Sequence, residues 1–204
     1  MTESTNLKCV SELVQSSISV KQELLCDEAT LAKIASASEI LISALKAGNK
    51  LMLFGNGGSA ADSQHIAAEF VGRFGFDRPA LPAMALSVNT SCLTAIGNDY
   101  GFEGVFSRQI EALGRRGDVS IGITTSGNSP NVVRALVVAK EMGIHTIAFS
   151  GKSGGKVNDV AECCICAPSN ETPRIQECHI LFGHIISELA EKAIFHAKGR
   201  TAGS

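Results

Sequence analysis

Five short apolar runs, separated by polar loops and by stretches with helical spacing, decide what this 204-residue sequence can fold into. Runs that are apolar at nearly every position are typical of parallel strands that helices cover on both faces. Right-handed crossovers between such strands produce a doubly wound sheet. We therefore predict an α/β fold built on a doubly wound, five-stranded parallel sheet. The predicted strands are 50–54, 83–86, 119–123, 144–149 and 163–167.

Helical spacing of apolar residues frames these strands at both ends of the chain. Residues 7–25 and 31–45 predict two helices that form an N-terminal hairpin, and 173–196 predicts one long C-terminal helix. Because a hairpin outside a covered sheet must bury its apolar face elsewhere, we expect it to serve assembly. The predicted parts are a helical extension, 1–47, one domain, 48–197, and a frayed tail, 198–204.

Composition and charge exclude several classes of protein. Aromatic residues make up 5% of the chain and the formal net charge is -2, so neither base stacking nor attraction to nucleic acid or anionic lipid is expected. No run of 18 apolar residues occurs, and the N-terminus lacks the basic and apolar regions of a signal peptide. We expect a cytoplasmic protein without nucleic-acid or membrane partners.

Of the seven cysteines, only Cys163 and Cys166 have CxxC spacing, and they fall with Cys164 inside a predicted strand, without a second such pair. Neither a disulfide scaffold nor a zinc ribbon fits this pattern. We predict reduced thiols that pack as small apolar groups, as in cytosolic proteins.

Two polar loops fall at the carboxyl ends of predicted strands, where ligands of such sheets bind. The loop 124–129 carries four hydroxyl side chains and a glycine, and Pro130 then opens a helix. Free N–H groups and the positive end of that helix favour a phosphate dianion. Hydroxyl groups that merely cap the helix are the alternative. The hydroxyl residues are Thr124, Thr125, Ser126 and Ser129.

The other loop, 55–59, has the sequence GNGGS. It has neither the glycine spacing of a dinucleotide-binding fingerprint nor the lysine of a P-loop. By itself it is compatible with a ligand loop or with tight packing of a strand against a helix.

Ionisable residues at helical spacing follow in two places. His65 and Glu69 lie on one helix face, as two ligands of a metal ion, an acid–base pair or a solvated surface pair. In the last predicted helix, His184 lies among apolar residues, where a buried structural histidine is a commoner explanation than a functional one. The same helix also carries Arg174, Gln176, Glu177 and His179.

Five blocks of the sequence together resemble the phosphoheptose isomerases, which have the sugar isomerase (SIS) fold. The blocks are GNGGSAADSQHIAAEFVGRF, AIGNDYGFEGVFSRQ, GDVSIGITTSGNSPNVVRAL, FSGKSGGK and RIQECHILFGH. The resemblance runs from the N-terminal helices to about residue 195. It implies a flavodoxin-like sheet, a homotetramer with active sites between subunits, and one divalent metal ion, most often zinc, per subunit.

The resemblance also assigns roles to individual residues. It implies that Glu69 is the catalytic base and His184 the catalytic acid. Arg73 and Arg174 lie in matching blocks without a clear role, and Pro173 departs from the Asp or Ala of some relatives. The implied metal ligands are His65, Glu69, Gln176 and His184. The implied substrate contacts are Asn56, Gly57, Gly58, Ser59, Asp99, Thr124, Thr125, Ser126, Ser129 and Gln176.

The implied reaction converts sedoheptulose 7-phosphate to D-glycero-D-manno-heptose 7-phosphate, the first step toward the ADP-heptose of lipopolysaccharide cores. A carboxylate and an imidazole suit the enediol proton transfer that this requires, and a divalent cation would polarise the carbonyl. Two of these implied assignments are difficult to reconcile with simple geometry. Glu69 is assigned both as metal ligand and as base, and Gln176 and His184 are about 12 Å apart along a helix. These two residues either flank one ion or serve different copies of the site.

Two other functions fit the same fold. One is a non-enzymatic SIS adaptor that binds the bacterial replication initiator. Such an adaptor lacks the functional groups found here at Glu69 and His184. The other is an isomerase or sensor for a different sugar phosphate, such as arabinose 5-phosphate or a hexosamine phosphate. Many of these carry regulatory or DNA-binding modules, for which we expect no room in 204 residues.

Overall fold

The computed structural model describes residues 3–195, with side chains from residue 5 onward. The predicted tail, 198–204, and His196 at the end of the last predicted helix lie outside these described residues. Eight α-helices and five strands alternate in the described part, with a short 3-10 helix before α5. The strands are β1 Leu51–Gly55, β2 Ala83–Ala85, β3 Val119–Ile123, β4 His145–Ser150 and β5 Cys163–Cys166. The helices are α1 Glu3–Cys26, α2 Glu28–Lys46, α3 Gly58–Val71, α4 Thr90–Tyr100, α5 Ser107–Leu113, α6 Pro130–Glu141, α7 Val157–Val160 and α8 Thr172–Phe195.

The five strands form one parallel sheet in the order β2-β1-β3-β4-β5. This order is the flavodoxin-like arrangement, so the predicted doubly wound, five-stranded fold is confirmed. Alternate residues of each strand face opposite sides. Leu51 and Leu53 join the core beneath α2, α3 and α8, whereas Met52 and Phe54 join the core on the other face. Both faces are therefore covered, which explains why the runs are apolar throughout.

The two N-terminal helices differ in how they are attached. Helix α2 buries Ile34 and Leu41 in the same core as the sheet, and Asp27 caps its first turn by accepting a hydrogen bond from the Thr30 amide. Helix α1 is held to α8 largely by polar contacts. Arg174 donates to the Leu13 carbonyl at 2.6 Å, and the Ser17 hydroxyl donates to the Glu177 carboxylate at 2.6 Å. Helix α2 is thus embedded in the sheet cover, whereas α1 adds only the buried Leu24 and the partly buried Val20 near its C-terminal end to that core.

Two further observations bear on the sequence predictions. No helix among residues 3–195 is long and apolar enough to cross a membrane. All seven cysteines are free. Cys163, Cys164 and Cys178 are buried, as predicted for packed thiols, but Cys9 and Cys26 are exposed on α1, and for them the prediction of packing is wrong.

Candidate active site

Strands β1 and β3 bring the two predicted polar loops side by side. The strands pair in parallel register with Gly55 opposite Ile123, so the loops that follow them leave the same edge of the sheet. Since β1 connects back to β2 on one side and β3 lies on the other, this is the position where the strand order reverses. Doubly wound sheets bind ligands in the crevice at this position.

The loop 124–129 gathers hydroxyl groups beside the start of α6. The Thr124 hydroxyl lies 2.9 Å from that of Ser129 and 3.4 Å from that of Ser126. Ser129 precedes the helix but makes no side-chain capping bond to it. The capping alternative is therefore not favoured, and the geometry suits an anion at the helix N-terminus. Thr125 is half-buried beside this group, and its carbonyl accepts from the Gly151 amide at 3.1 Å.

Gly127 fixes the shape of this loop. Its φ is +69°, and a Cβ atom placed there would lie 2.0 Å from the Gly154 carbonyl oxygen. The Gly127 carbonyl in turn accepts from the Val157 amide at 3.0 Å. Only glycine adopts this φ without strain and leaves room for the neighbouring backbone. The segment after β4 thus holds the hydroxyl loop in place.

Asn56 joins the two loops. Its side-chain amide exchanges two hydrogen bonds, each of 2.9 Å, with the side chain of Asn131 in the first turn of α6. A cleft of about 200 Å³ lies between Asn56, Asn131 and Phe102. Sequence reasoning missed Asn131, because a single asparagine at a helix start carries no signal of its own.

Gln176 approaches the glycine loop from α8. A Cβ atom on Gly58 would lie 2.4 Å from Gln176 Nε2, so the missing side chain makes room for this amide. Gly57 has a φ of +56° and opens α3, and Ser59 is buried at its first turn. Asn56, Gly57, Gly58, Ser59 and Gln176 are therefore gathered at one end of α3.

His65 and Glu69 of α3 meet His184 of α8. The Nε2 atom of His65 lies 3.0 Å from Nε2 of His184 and 3.1 Å from Oε1 of Glu69. One ligand atom from each residue lies within 4.8 Å of the others. The side chains are 51% exposed for His65 and 23% exposed for Glu69, so the group opens to solvent. These three predicted site residues are brought together; a solvated pair on α3 alone does not describe them.

Gly183 is the reason that the two helices come so close. A Cβ atom on Gly183 would lie 2.4 Å from Cδ1 and 2.7 Å from Cγ1 of Ile66. The glycine stands next to His184 and the isoleucine next to His65. Close helix packing at this point therefore sets the distance between the two imidazole rings.

Comparison with known proteins identifies the family. The SIS domain family matches residues 15–151. A phosphoheptose isomerase from Aneurinibacillus thermoaerophilus is 56% identical over 185 residues, which are 91% of this chain and 93% of that protein. This chain belongs to the phosphoheptose isomerase family, within the SIS-domain proteins.

Solved structures of the phosphoheptose isomerase family agree with the fold. One from Francisella tularensis superposes with a TM-score of 0.88 at 33% identity and covers 94% of this chain and 100% of its own. One from Neisseria gonorrhoeae gives a TM-score of 0.84 at 42% identity and covers 91% and 98%. The resemblance inferred from the sequence blocks is therefore confirmed.

The three-residue cluster of this phosphoheptose isomerase family member has the donor set for a divalent metal ion. Two imidazole Nε2 atoms face each other, and His65 Nε2 also faces a carboxylate oxygen, so one ring proton cannot satisfy all three atoms. A zinc ion accepts nitrogen and oxygen ligands, and three protein ligands leave a fourth position for substrate. His65, Glu69 and His184 therefore fit a metal ion. Gln176 lies against Gly58, and its place as a fourth ligand stays a prediction.

Asp62 is a neighbour of this cluster that sequence reasoning missed. One of its carboxylate oxygens is buried and has no hydrogen-bond partner among the described residues. Burial raises the pKa of Asp62, and the charges of His65 and His184 oppose that rise. Its position one turn before His65 is the only sequence signal that points to it.

Of the predicted substrate contacts, Asp99 lies in a separate cleft of the single chain, and the sequence assigned no role to Arg73 or His179. Asp99 is exposed on α4, accepts from the Asn98 side chain, and lines a separate cleft of about 490 Å³ between β2, α4 and α5. Arg73 is exposed. His179 is fully buried, and its Nε2 atom lies 3.1 Å from the Ser150 carbonyl oxygen. This buried hydrogen bond indicates a structural role for His179.

Proposed function

We propose that this chain converts sedoheptulose 7-phosphate to D-glycero-D-manno-heptose 7-phosphate, the first step toward the ADP-heptose of lipopolysaccharide cores. The observation that carries the proposal is the meeting of Glu69 and His184, whose ligand atoms lie within 4.8 Å of each other, in a chain that also has a hydroxyl loop suited to a phosphate. The substrate carries its phosphate on C7 and reacts at C1 and C2, so it requires both an anion site and a separate acid–base pair.

In the proposed reaction, the loop 124–129 and the start of α6 hold the phosphate, and this remote binding energy positions the reacting carbons. Glu69 removes a proton from C1, and His184 donates a proton to the C2 carbonyl oxygen, which gives the enediol. His184 then takes the proton from the C1 hydroxyl group, and Glu69 returns its proton to C2. Because Oε1 of Glu69 faces His65, we assign the carbon proton to the other carboxylate oxygen.

A metal ion, which we propose to be zinc at one per subunit, would be held by His65, Glu69 and His184, with Gln176 as the predicted fourth ligand. When bound, it supplies a Lewis acid beside the substrate carbonyl. The support is the donor set described above. Elemental analysis of the purified protein should give one metal per chain, and His65→Ala should remove it; a metal content unchanged in His65→Ala would contradict this assignment.

We also propose a cytoplasmic homotetramer in which neighbouring subunits complete each site. Two features support shared sites. Helix α1 exposes a stripe of apolar residues, and Asp99 lies in a cleft apart from the other predicted substrate contacts. In a tetramer, a neighbouring subunit would bury the apolar stripe of α1, and a neighbouring subunit would also bring its Asp99 to the crevice.

The decisive experiment compares two pairs of the same residue types. Turnover of sedoheptulose 7-phosphate should fall by about a thousandfold or more in Glu69→Gln and in His184→Gln, since acid–base groups contribute about 10²–10⁴-fold each. The matched pair is His145 and Glu162, which lie 2.9 Å apart. They lie beside the amino end of β4, whereas the two polar loops follow the carboxyl ends of the strands. Their glutamine variants should keep full activity. A wild-type protein that binds phosphosugars without turnover would instead favour the adaptor function.

A further inference from the structure

Arg78 and Glu191 form a buried ion pair close to the proposed catalytic residues. Arg78 Nε lies 2.9 Å from Glu191 Oε1, and the two side chains are only 2% and 3% exposed. Arg78 belongs to the segment between α3 and β2, and Glu191 belongs to α8. Arg78 contacts the backbone of one member of the three-residue cluster directly, and Glu191 reaches another member through one intervening residue.

Arg78 holds the end of α3 that carries Glu69. Its Nη2 atom donates to the Glu69 carbonyl oxygen at 2.7 Å, and Nη1 donates to the Phe70 carbonyl oxygen at 2.8 Å and to that of Gly72 at 3.2 Å. These carbonyl groups lie at the C-terminal end of the helix, where they lack partners within the helix. A cation there also interacts favourably with the helix dipole. The guanidinium group therefore fixes the backbone from which the Glu69 side chain projects.

Glu191 holds the segment that follows. Its two carboxylate oxygens accept from the amide of Phe74 at 2.9 Å and from that of Gly75 at 2.7 Å. A Cβ atom on Gly75 would lie 3.2 Å from Glu191 Oε2, so glycine allows this approach. The carboxylate thus fixes the position of Phe74.

Phe74 in turn packs against the imidazole of His184. The two ring centroids are 5.8 Å apart with an interplanar angle of 50°, and the ring centroid of His65 lies 5.1 Å from that of His184. His184 and Glu191 are seven residues apart on α8, which places them on the same face of the helix. One ion pair is therefore connected both to the backbone of Glu69 and to the ring that packs on His184.

We infer that Arg78 and Glu191 are positioning residues for the isomerisation, and that they set the relative placement of Glu69 and His184 through the segment 72–78. The inference rests on the proposed function. Loss of the pair should lower kcat, because a small misplacement of reacting groups costs up to about a hundredfold in rate. KM should change little, because the phosphate is held by the loop 124–129 on a different part of the sheet edge.

The test compares Glu191→Gln with a control that loses an equivalent interaction elsewhere. The control is Asp118→Asn: Asp118 is 2% exposed, pairs with the Lys50 ammonium group and accepts from the amides of Lys50 and Arg115, but at the amino ends of β1 and β3. Below the unfolding temperature of both variants, Glu191→Gln should lower kcat by about tenfold or more with KM within about twofold, and Asp118→Asn should leave kcat within about twofold. Equal effects of the two variants on kcat would overturn the inference.

A second measurement does not depend on turnover. In protein labelled with ¹³C at histidine Cε1, the His184 signal, assigned with His184→Gln, should move in Glu191→Gln because the Phe74 ring current changes, and should stay in place in Asp118→Asn. If Glu191→Gln does not fold, Arg78→Lys and Phe74→Leu replace it in both measurements. Each of these two variants should move the His184 signal and lower kcat. A protein without isomerase activity would refute the proposed function alone. An unmoved His184 signal in the folded variants would refute the positioning role.

Discussion

The Nε2 atoms of His65 and His184 lie 3.0 Å apart although 119 positions separate the two residues in the chain. Helices α3 and α8 cross with Gly183 against Ile66, and this contact leaves no room for a further methyl group. The distance between the two imidazole rings is thus set by core packing beside the site, and the first prediction tests this dependence.

Gly183→Ala should separate the rings of His65 and His184. The added Cβ atom would lie 2.4 Å from Cδ1 of Ile66, so the helices must move or the isoleucine must change rotamer. We expect activity to fall by at least about tenfold and metal content to fall with it. The double variant Gly183→Ala with Ile66→Val removes Cδ1 and should recover part of both. Full activity and metal content in the single variant would contradict the prediction.

Thr124→Val should weaken substrate binding while preserving shape. The Thr124 hydroxyl is buried and contacts those of Ser126 and Ser129, so its loss removes a donor from the proposed phosphate site. A hydrogen bond to a charged group is worth about 1.5–3 kcal/mol, so KM should rise by roughly tenfold to a hundredfold.

The control for Thr124→Val is Thr146→Val. Thr146 is also buried, and its hydroxyl accepts from the Glu162 amide near the amino end of β4, away from the proposed site. We expect an unchanged KM there. Equal increases in KM for the two variants would show that the Thr124 hydroxyl has no special part in binding.

His179 should make the folded protein sensitive to mild acid. Burial lowers the pKa of this histidine to about 4, from an ordinary 6.5. The unfolded chain therefore binds more protons between pH 6.5 and 4, so stability is retained above pH 6.5 and decreases as the pH falls through that window. The difference amounts to about 3 kcal/mol at most. Urea unfolding measured from pH 7 to pH 4 should show this slope, and His179→Gln, which can still donate to the Ser150 carbonyl, should reduce it. An identical pH dependence in the variant would exclude His179 as the cause.

Val14→Asp should reduce the oligomeric mass. Helix α1 exposes a stripe at helical spacing, and a charge in its centre opposes burial against a second copy. The stripe consists of Leu7, Val10, Val14, Ile18 and Leu25. Gln15→Asp, one position away on an exposed polar site, should leave the mass unchanged. Light scattering coupled to a sizing column distinguishes the two results; an unchanged mass in Val14→Asp would remove the stripe from the interface.

The sheet was predictable because its strands are buried on both faces and so read as continuous apolar runs. The first and last residues of the strands were less predictable. Ile144 was predicted in a strand, but its amide bonds to the Ala139 carbonyl at the end of α6, and β4 begins at His145. Lys50 precedes β1 because its amide bonds to the side chain of Asp118. Such ends depend on contacts that no local pattern encodes.

The site was predictable in two steps. Spacing alone placed His65 and Glu69 on one helix face, but only the resemblance to the family joined His184 to them. Neither helical spacing nor the family resemblance indicates a role for Arg78 or Glu191. They are 113 positions apart, and neither belongs to a motif, so their pairing follows only from how α3 and α8 pack.

The unequal attachment of the two N-terminal helices has a consequence for protein engineering. Since α2 is embedded in the core and α1 places only Leu24 and Val20 there, the exposed surface of α1 can be redesigned while the interior stays intact. New pairings between copies, or a fused module in place of a natural neighbour, are then accessible by rewriting the exposed positions of α1 alone.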